Sequence, residues 1–113
     1  MDDAADEAQP PKFDQAVADS YVGKYIIVGI TYHDHAGKEI RQQQMHGAIE
    51  RASPQGMLIS LRGTQQSQTW NMPPDFRAIV RANPGTYTLR GTKEVIKDPD
   101  LLATWDIHEP QKH

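Results

Sequence analysis

The feature that most limits what this chain can fold into is a change of apolar period at Lys24. Before it, Phe13, Ala16, Val17 and Tyr21 stand at helical spacing on one face. After it, Ile26, Val28, Ile30 and Tyr32 alternate with Tyr25, Ile27, Gly29 and Thr31. A period near 3.6 belongs to a helix and a period of two to a pleated strand, so a short helix gives way to a strand within a few residues. Gly23 is placed to stop the helix, which is too short to be stable alone and must dock its apolar stripe on the body. The strand is apolar on both faces at its start, the pattern of a strand buried from two sides, and Gly29 suggests a bulge or bend within it.

The remainder of the chain repeats the two-residue period between turn signals. Residues 34–38 carry hairpin-turn chemistry, with Gly37 free to take positive φ. A second strand over 40–52 sets Met45, Gly47 and Ile49 on one face and Gln42, Gln44, His46 and Glu50 on a wet one. A turn over 53–56 leads to Met57, Ile59 and Leu61 on a third strand, which completes a three-stranded meander. Shorter extended segments follow over 69–72, 78–82 and 86–90 and at Val95 and Ile96, with a final strand over 100–107. They are interrupted by Pro73 and Pro74, by the turn at Asn83, Pro84 and Gly85, and by Asp98 and Pro99. One helix followed by five to seven strands at turn intervals of roughly 8 to 12 residues predicts a mainly β fold: a small, strongly bent barrel preceded by one short N-terminal helix. Closure into a barrel would remove the exposed edges that invite aggregation. With 113 residues there is room for one such domain, read over 13–110.

Helix, long strand with Gly29, hairpin, second long strand with Gly47, then third strand: this order, over residues 13–61, looks like the Sm-like and SH3-like small barrels. The resemblance implies a curled single-core sheet. The Sm-like family reads single-stranded RNA through an aspartate and an asparagine on paired loops. That signature is not found here, so no RNA-binding residue is carried over.

The formal net charge of −3 hides an uneven distribution. Within the first 19 residues Asp2, Asp3, Asp6, Glu7, Asp14 and Asp19 stand against Lys12 alone, whereas the rest carries a small positive excess. Residues 1–12 are therefore read as a disordered acidic tail, and 111–113 as a disordered end. A sharper reading folds the acidic arm over a basic patch, where it would compete with an anionic ligand. No leader or apolar run long enough to span a bilayer is visible, which predicts a cytoplasmic protein with no membrane partner. The absence of cysteine excludes disulfides, thiolate nucleophiles and cysteine-ligated zinc.

Few constellations suggest chemistry. His33 and His35 are two apart, so on an extended strand both imidazoles would face the same way, as weak candidate metal ligands. Asp98 and Asp100 flank Pro99, where local geometry explains them better than acid and base catalysis: Asp100 can cap the segment beginning at Leu101. No glycine elbow or phosphate-cradling loop is present, so neither an enzyme nor a cofactor is expected. Aromatics and arginines remain as binding material. Trp70 and Phe76, with Arg62, Arg77 and Arg81 and with Arg90 further on, could line an exposed groove, while Trp105 and Tyr87 read as core anchors. The leading expectation is a non-catalytic module binding another protein, of the small adaptor or immunity type seen in bacterial systems, with Gln42, Gln43 and Gln44 as part of its surface. The alternative is a single-stranded RNA- or DNA-binding barrel inhibited by its own acidic tail. Small barrels also assemble edge to edge, which leaves a homo-oligomer open.

Overall fold

A computed structural model describes residues 12–110; the tail read over 1–12, apart from Lys12, and the end at 111–113 lie outside the described residues. Asp14 starts the helix α1 (Gln15–Tyr21) by accepting hydrogen bonds from the backbone N–H groups of Ala16 (3.0 Å) and Val17 (3.3 Å). That cap satisfies two of the donors a helix start leaves unpaired. The docked face centres on the fully buried Ala18, flanked by the half-buried Phe13, Val17 and Tyr21; Ala16, expected on this face, is exposed. Gly23 ends the helix at φ +88°, and its N–H donates to the carbonyl of Ile49 at 2.8 Å, which turns the chain onto the sheet.

The strands are β1 (Tyr25–His33), β2 (Glu39–Ser53), β3 (Gly56–Leu61), β4 (Thr69–Met72), β5 (Ile79–Arg81), β6 (Thr86–Thr88), β7 (Val95–Lys97) and β8 (Leu101–His108). Short 3-10 turns lie at Gly63–Gln65 and Phe76–Ala78. Six strands form one sheet in the order β4-β3-β2-β1-β8-β5, while β6 and β7 form a separate antiparallel hairpin. The predicted meander is present and extends to β4. The predicted barrel closure is not: β4 and β5 are the two edges of an open sheet. The expectation missed what the last strand does. β8 runs parallel to β1, pairing Ile26 with Leu101 and Val28 with Ala103, and β5 pairs with its far side, so the sheet ends at β5 and β4, which do not pair with each other.

The two faces of this sheet carry separate cores. Ile26, Val28 and Ile30 join Met45, Ile49, Met57, Ile59, Leu61, Met72, Ile79, Leu101 and Ala103 on the face that α1 covers. Each such aliphatic side chain contributes about 1.5–3 kcal/mol by leaving water. The opposite face is covered by the β6 and β7 hairpin through a cluster of only three buried residues, Ile27, Leu89 and Ile96, with Tyr25, Tyr87 and Leu102 packed against it. Strand β1 is thus buried from both sides, as its composition predicts. No bulge interrupts β1 at Gly29: the strand stays in register with β2 there and shifts only between Tyr32 and His33. Gly47 is the glycine the sheet requires: a Cβ there would overlap the carbonyl oxygen of Ser60 on β3. Among the described residues no helix is long and apolar enough to cross a membrane.

Candidate functional site

The hairpin's far end is built by turn chemistry. Leu89 donates its N–H to the carbonyl of Glu94 at 2.8 Å, Lys93 donates to the carbonyl of Leu89 at 3.1 Å, and Lys93 takes positive φ (65°). The resulting tip projects Arg90, Gly91 and Thr92 toward β2. There the backbone N–H of Arg90 donates to Oε1 of Gln44 (2.8 Å), and its Nη1 donates to Oε1 of Gln42 (3.2 Å). Gln42 and Gln44 share the outer face of β2 because they pair with Thr31 and Gly29 of β1. With Thr64 and Gln65 from the turn after β3, these residues line a groove of about 500 Å³.

Beneath one side of this groove lies a polar chain that holds the hairpin to the sheet. The Tyr25 phenol lies 2.6 Å from Nδ1 of His46, and Nε2 of His46 lies 3.3 Å from Oε2 of Glu94. The same Glu94 oxygen accepts the backbone N–H of Thr64 (3.0 Å), and Oε1 accepts the Thr92 hydroxyl (2.8 Å). An ionised carboxylate only accepts, so His46 donates from Nε2; with the imidazole neutral, its Nδ1 accepts from Tyr25. The Thr92 hydroxyl, with help from His46 and the Thr64 N–H, holds the Glu94 carboxyl below the usual carboxylate range against the opposing effect of partial burial. Burial pushes the Tyr25 phenol up, the Arg62 charge opposes this and Glu94 adds to it. The hydrogen-bond chain therefore clamps the hairpin to the sheet, with the Tyr25 hydroxyl at one end and the Glu94 carboxylate at the other. Gly63 makes the close approach possible: its φ is +71°, and a Cβ there would overlap Oε2 of Glu94.

The residues singled out from sequence are dispersed. Trp70 is half-buried on the edge strand β4 and packs on the larger core, paired across the ladder with Ile59. Phe76 lies between β4 and β5, with ring centroids 5.5 Å from Phe13 and 5.7 Å from Tyr21, so it anchors the helix. Arg62 is exposed and bonds its neighbour Ser60 at Oγ (2.8 Å). Arg77 is tied to Asp75 at 2.6 Å. Arg81 lies apart from these, in a groove of about 790 Å³ beside Lys24, Asp98 and Asp100. The two aspartates there serve the backbone: Asp98 accepts the N–H of Gly85 (2.7 Å) and Asp100 that of Tyr25 (2.8 Å). Asp100 therefore ties β1 to β8, in place of the cap expected at Leu101. Trp105 packs at the margin of the larger core, as a core anchor should, although its buried indole N–H has no acceptor among the described residues.

His33 and His35 do not converge either. His33 ends β1, bonds Asp106 at 2.9 Å and stacks on His108 with ring centroids 4.7 Å apart, while His35 sits exposed in the hairpin turn where strand alternation has ended. The Asp106 hydrogen bond is the main cause that raises the His33 pKa. Among the described residues no group of three or more histidine and carboxylate side chains is placed to hold a metal ion. Sequence reasoning had noticed both the glutamine run and Arg90, but not that they meet. Residues 42 and 90 are too far apart in the chain for any local pattern to bring them together. Comparison with protein-family models, with curated proteins and with solved structures returned no match for this chain.

Proposed function

We propose that this protein is a non-catalytic binding module that takes a protein partner in the groove between β2 and the hairpin tip. The observation that carries this reading is the joining of three separate chain segments around Gln42, Gln44 and Arg90. Amides, hydroxyls and a guanidinium on a concave surface are the groups that fix orientation in a binding site. The nearby groups that could do proton chemistry, Glu94 and His46, are engaged in the clamp, and Asp98 and Asp100 in the other groove are engaged with backbone N–H groups. The reading of a single-stranded nucleic-acid binder draws less support, because neither groove described above is lined by more than one of Trp70, Phe76, Arg62, Arg77 and Arg81. A cysteine-free adaptor of this size suits a reducing compartment, and the cytoplasm is the proposed location.

Gly91 offers a direct test. It lines the groove, and a side chain there meets open space at ordinary φ, so Gly91→Trp fills the site without disturbing the core. Affinity capture from nuclease-treated native lysate should recover a stoichiometric protein with the wild type and lose it with Gly91→Trp. Equal recovery by both proteins, or recovery of RNA alone from untreated lysate, would refute this function.

A further inference from the structure

We propose that Arg90 receives a carboxylate, and that the partner segment seated in this groove is an extended acidic peptide. This inference rests on the reading of the groove as a protein-binding site and names the chemistry of its occupant.

Of the six arginines, two are paired with a carboxylate among the described residues, and Arg51, Arg62, Arg81 and Arg90 are not. Arg41 bonds Glu109 at 3.1 Å and Arg77 bonds Asp75 at 2.6 Å, so both charges are matched within the fold. Arg90 bonds two neutral amide oxygens instead, and no aspartate or glutamate lines its groove. Its charge is held in place without being neutralised. A guanidinium carries five donors, and among the described residues only Nη1 of Arg90 has a side-chain partner.

The glutamines add donors to this charge. Each Oε1 is occupied by a bond from Arg90, so each amide NH₂ points away from that bond, and among the described residues neither has an acceptor. The groove therefore offers these N–H groups around a fixed cation. The matching group accepts hydrogen bonds and carries negative charge. An ionised carboxylate meets both conditions, and its two oxygens suit the guanidinium fork.

The same inventory favours a peptide over a nucleic acid. One arginine is too little for a phosphate backbone, which is held by several cations at once, and no aromatic ring lines the groove to stack a base. The described fold begins at Lys12 and Phe13, and Phe13 packs on Phe76 against the larger core, on the face of the sheet away from the groove.

The test uses the full chain and three labelled probes in fluorescence anisotropy: a capped ten-residue peptide of alternating aspartate, glutamate and glycine, its asparagine and glutamine counterpart, and a 12-nucleotide oligouridine. The acidic peptide should bind, and its amide counterpart should bind at least about tenfold more weakly. Arg90→Gln should raise the acidic peptide's Kd about tenfold, while Arg81→Gln in the other groove leaves it within about twofold. Equal binding of both peptides, equal effects of the two substitutions, or preferential binding of oligouridine would each overturn the inference. Acidic-peptide binding that emerges only after deletion of residues 1–11 would overturn it in favour of the chain's own acidic residues. Partner capture that is lost in Gly91→Trp but unchanged in Arg90→Gln would refute the acidic ligand while leaving the protein-binding function standing. Capture unchanged in Gly91→Trp would remove that function itself.

Discussion

The two faces of the main sheet are held by different forces. On the helix side, fourteen buried residues form a continuous apolar cluster, several of them with no exposed surface at all. On the other side, three buried residues and a run of hydrogen bonds through Tyr25, His46, Glu94 and Thr64 attach a two-stranded hairpin. A pair of three-residue strands has little stability of its own, so it borrows order from the sheet beneath. The hairpin face is therefore positioned largely by polar geometry, which can open locally while the main sheet persists.

Weakening the better-packed face should have the largest effect. Ile59→Ala removes a fully buried side chain and should cost about 2–5 kcal/mol of global stability, read from denaturant midpoints. A loss confined to the hairpin would contradict the division drawn above. Gly63→Ala should have the next largest effect, about 1–3 kcal/mol, because it meets both an unfavourable φ and the Glu94 carboxylate. Its signature is faster hydrogen exchange at Leu89 and Ile96 with the amides of β1 to β3 still protected. Comparable exposure of both regions would show that they unfold as one unit.

Glu94→Gln sharpens the comparison further, at about 1–2 kcal/mol. Because the Glu94 carboxyl is held below its ordinary range, its contribution is full above the unfolded-state pKa, near pH 4, and is lost as pH falls through the lower folded-state value. Hairpin amides should therefore lose protection on acidification in the wild type, and this part of their pH dependence should vanish in Glu94→Gln. An unchanged acid profile would remove Glu94 from the clamp. The smallest effect is expected from Gly29→Ser, where a Cβ meets open space: within about 0.5 kcal/mol in thermal unfolding. A large loss there would mean that the outer face near Gln44 is more closely covered than its geometry implies.

Strand identity was legible because a period of two survives in Ile26, Val28 and Ile30 and in Met57, Ile59 and Leu61, all of them buried. Sheet topology was less so. Nothing local in residues 100–107 distinguishes a strand that closes a barrel from one that inserts beside β1, since both require apolar residues on alternate positions. His46 illustrates the same limit for the site. It alternates with Gln42 and Gln44 on a face that reads as wet, yet it is only 7% exposed, because a hairpin nearly fifty positions later covers it. Phe76 follows a proline pair and resembles loop material, but it packs against Phe13 and Tyr21 and helps to seat the helix. Arg90 was legible as exposed binding material, but not its meeting with Gln42 and Gln44, nearly fifty positions earlier.

The parallel pairing of β1 with β8 also fixes an order of events during biosynthesis. Tyr25 and Asp100 exchange hydrogen bonds across 75 positions, so β1 leaves the ribosome long before its parallel neighbour exists. In that interval β1 can form the antiparallel ladder with β2, but its other edge, apolar on both faces, stays open until β8 is made. Contacts this distant slow folding, and an unpaired edge of this kind invites pairing with other nascent chains. A chain interrupted before Leu101 would keep that edge permanently, which makes early termination, more than any single substitution, the condition under which this protein should aggregate.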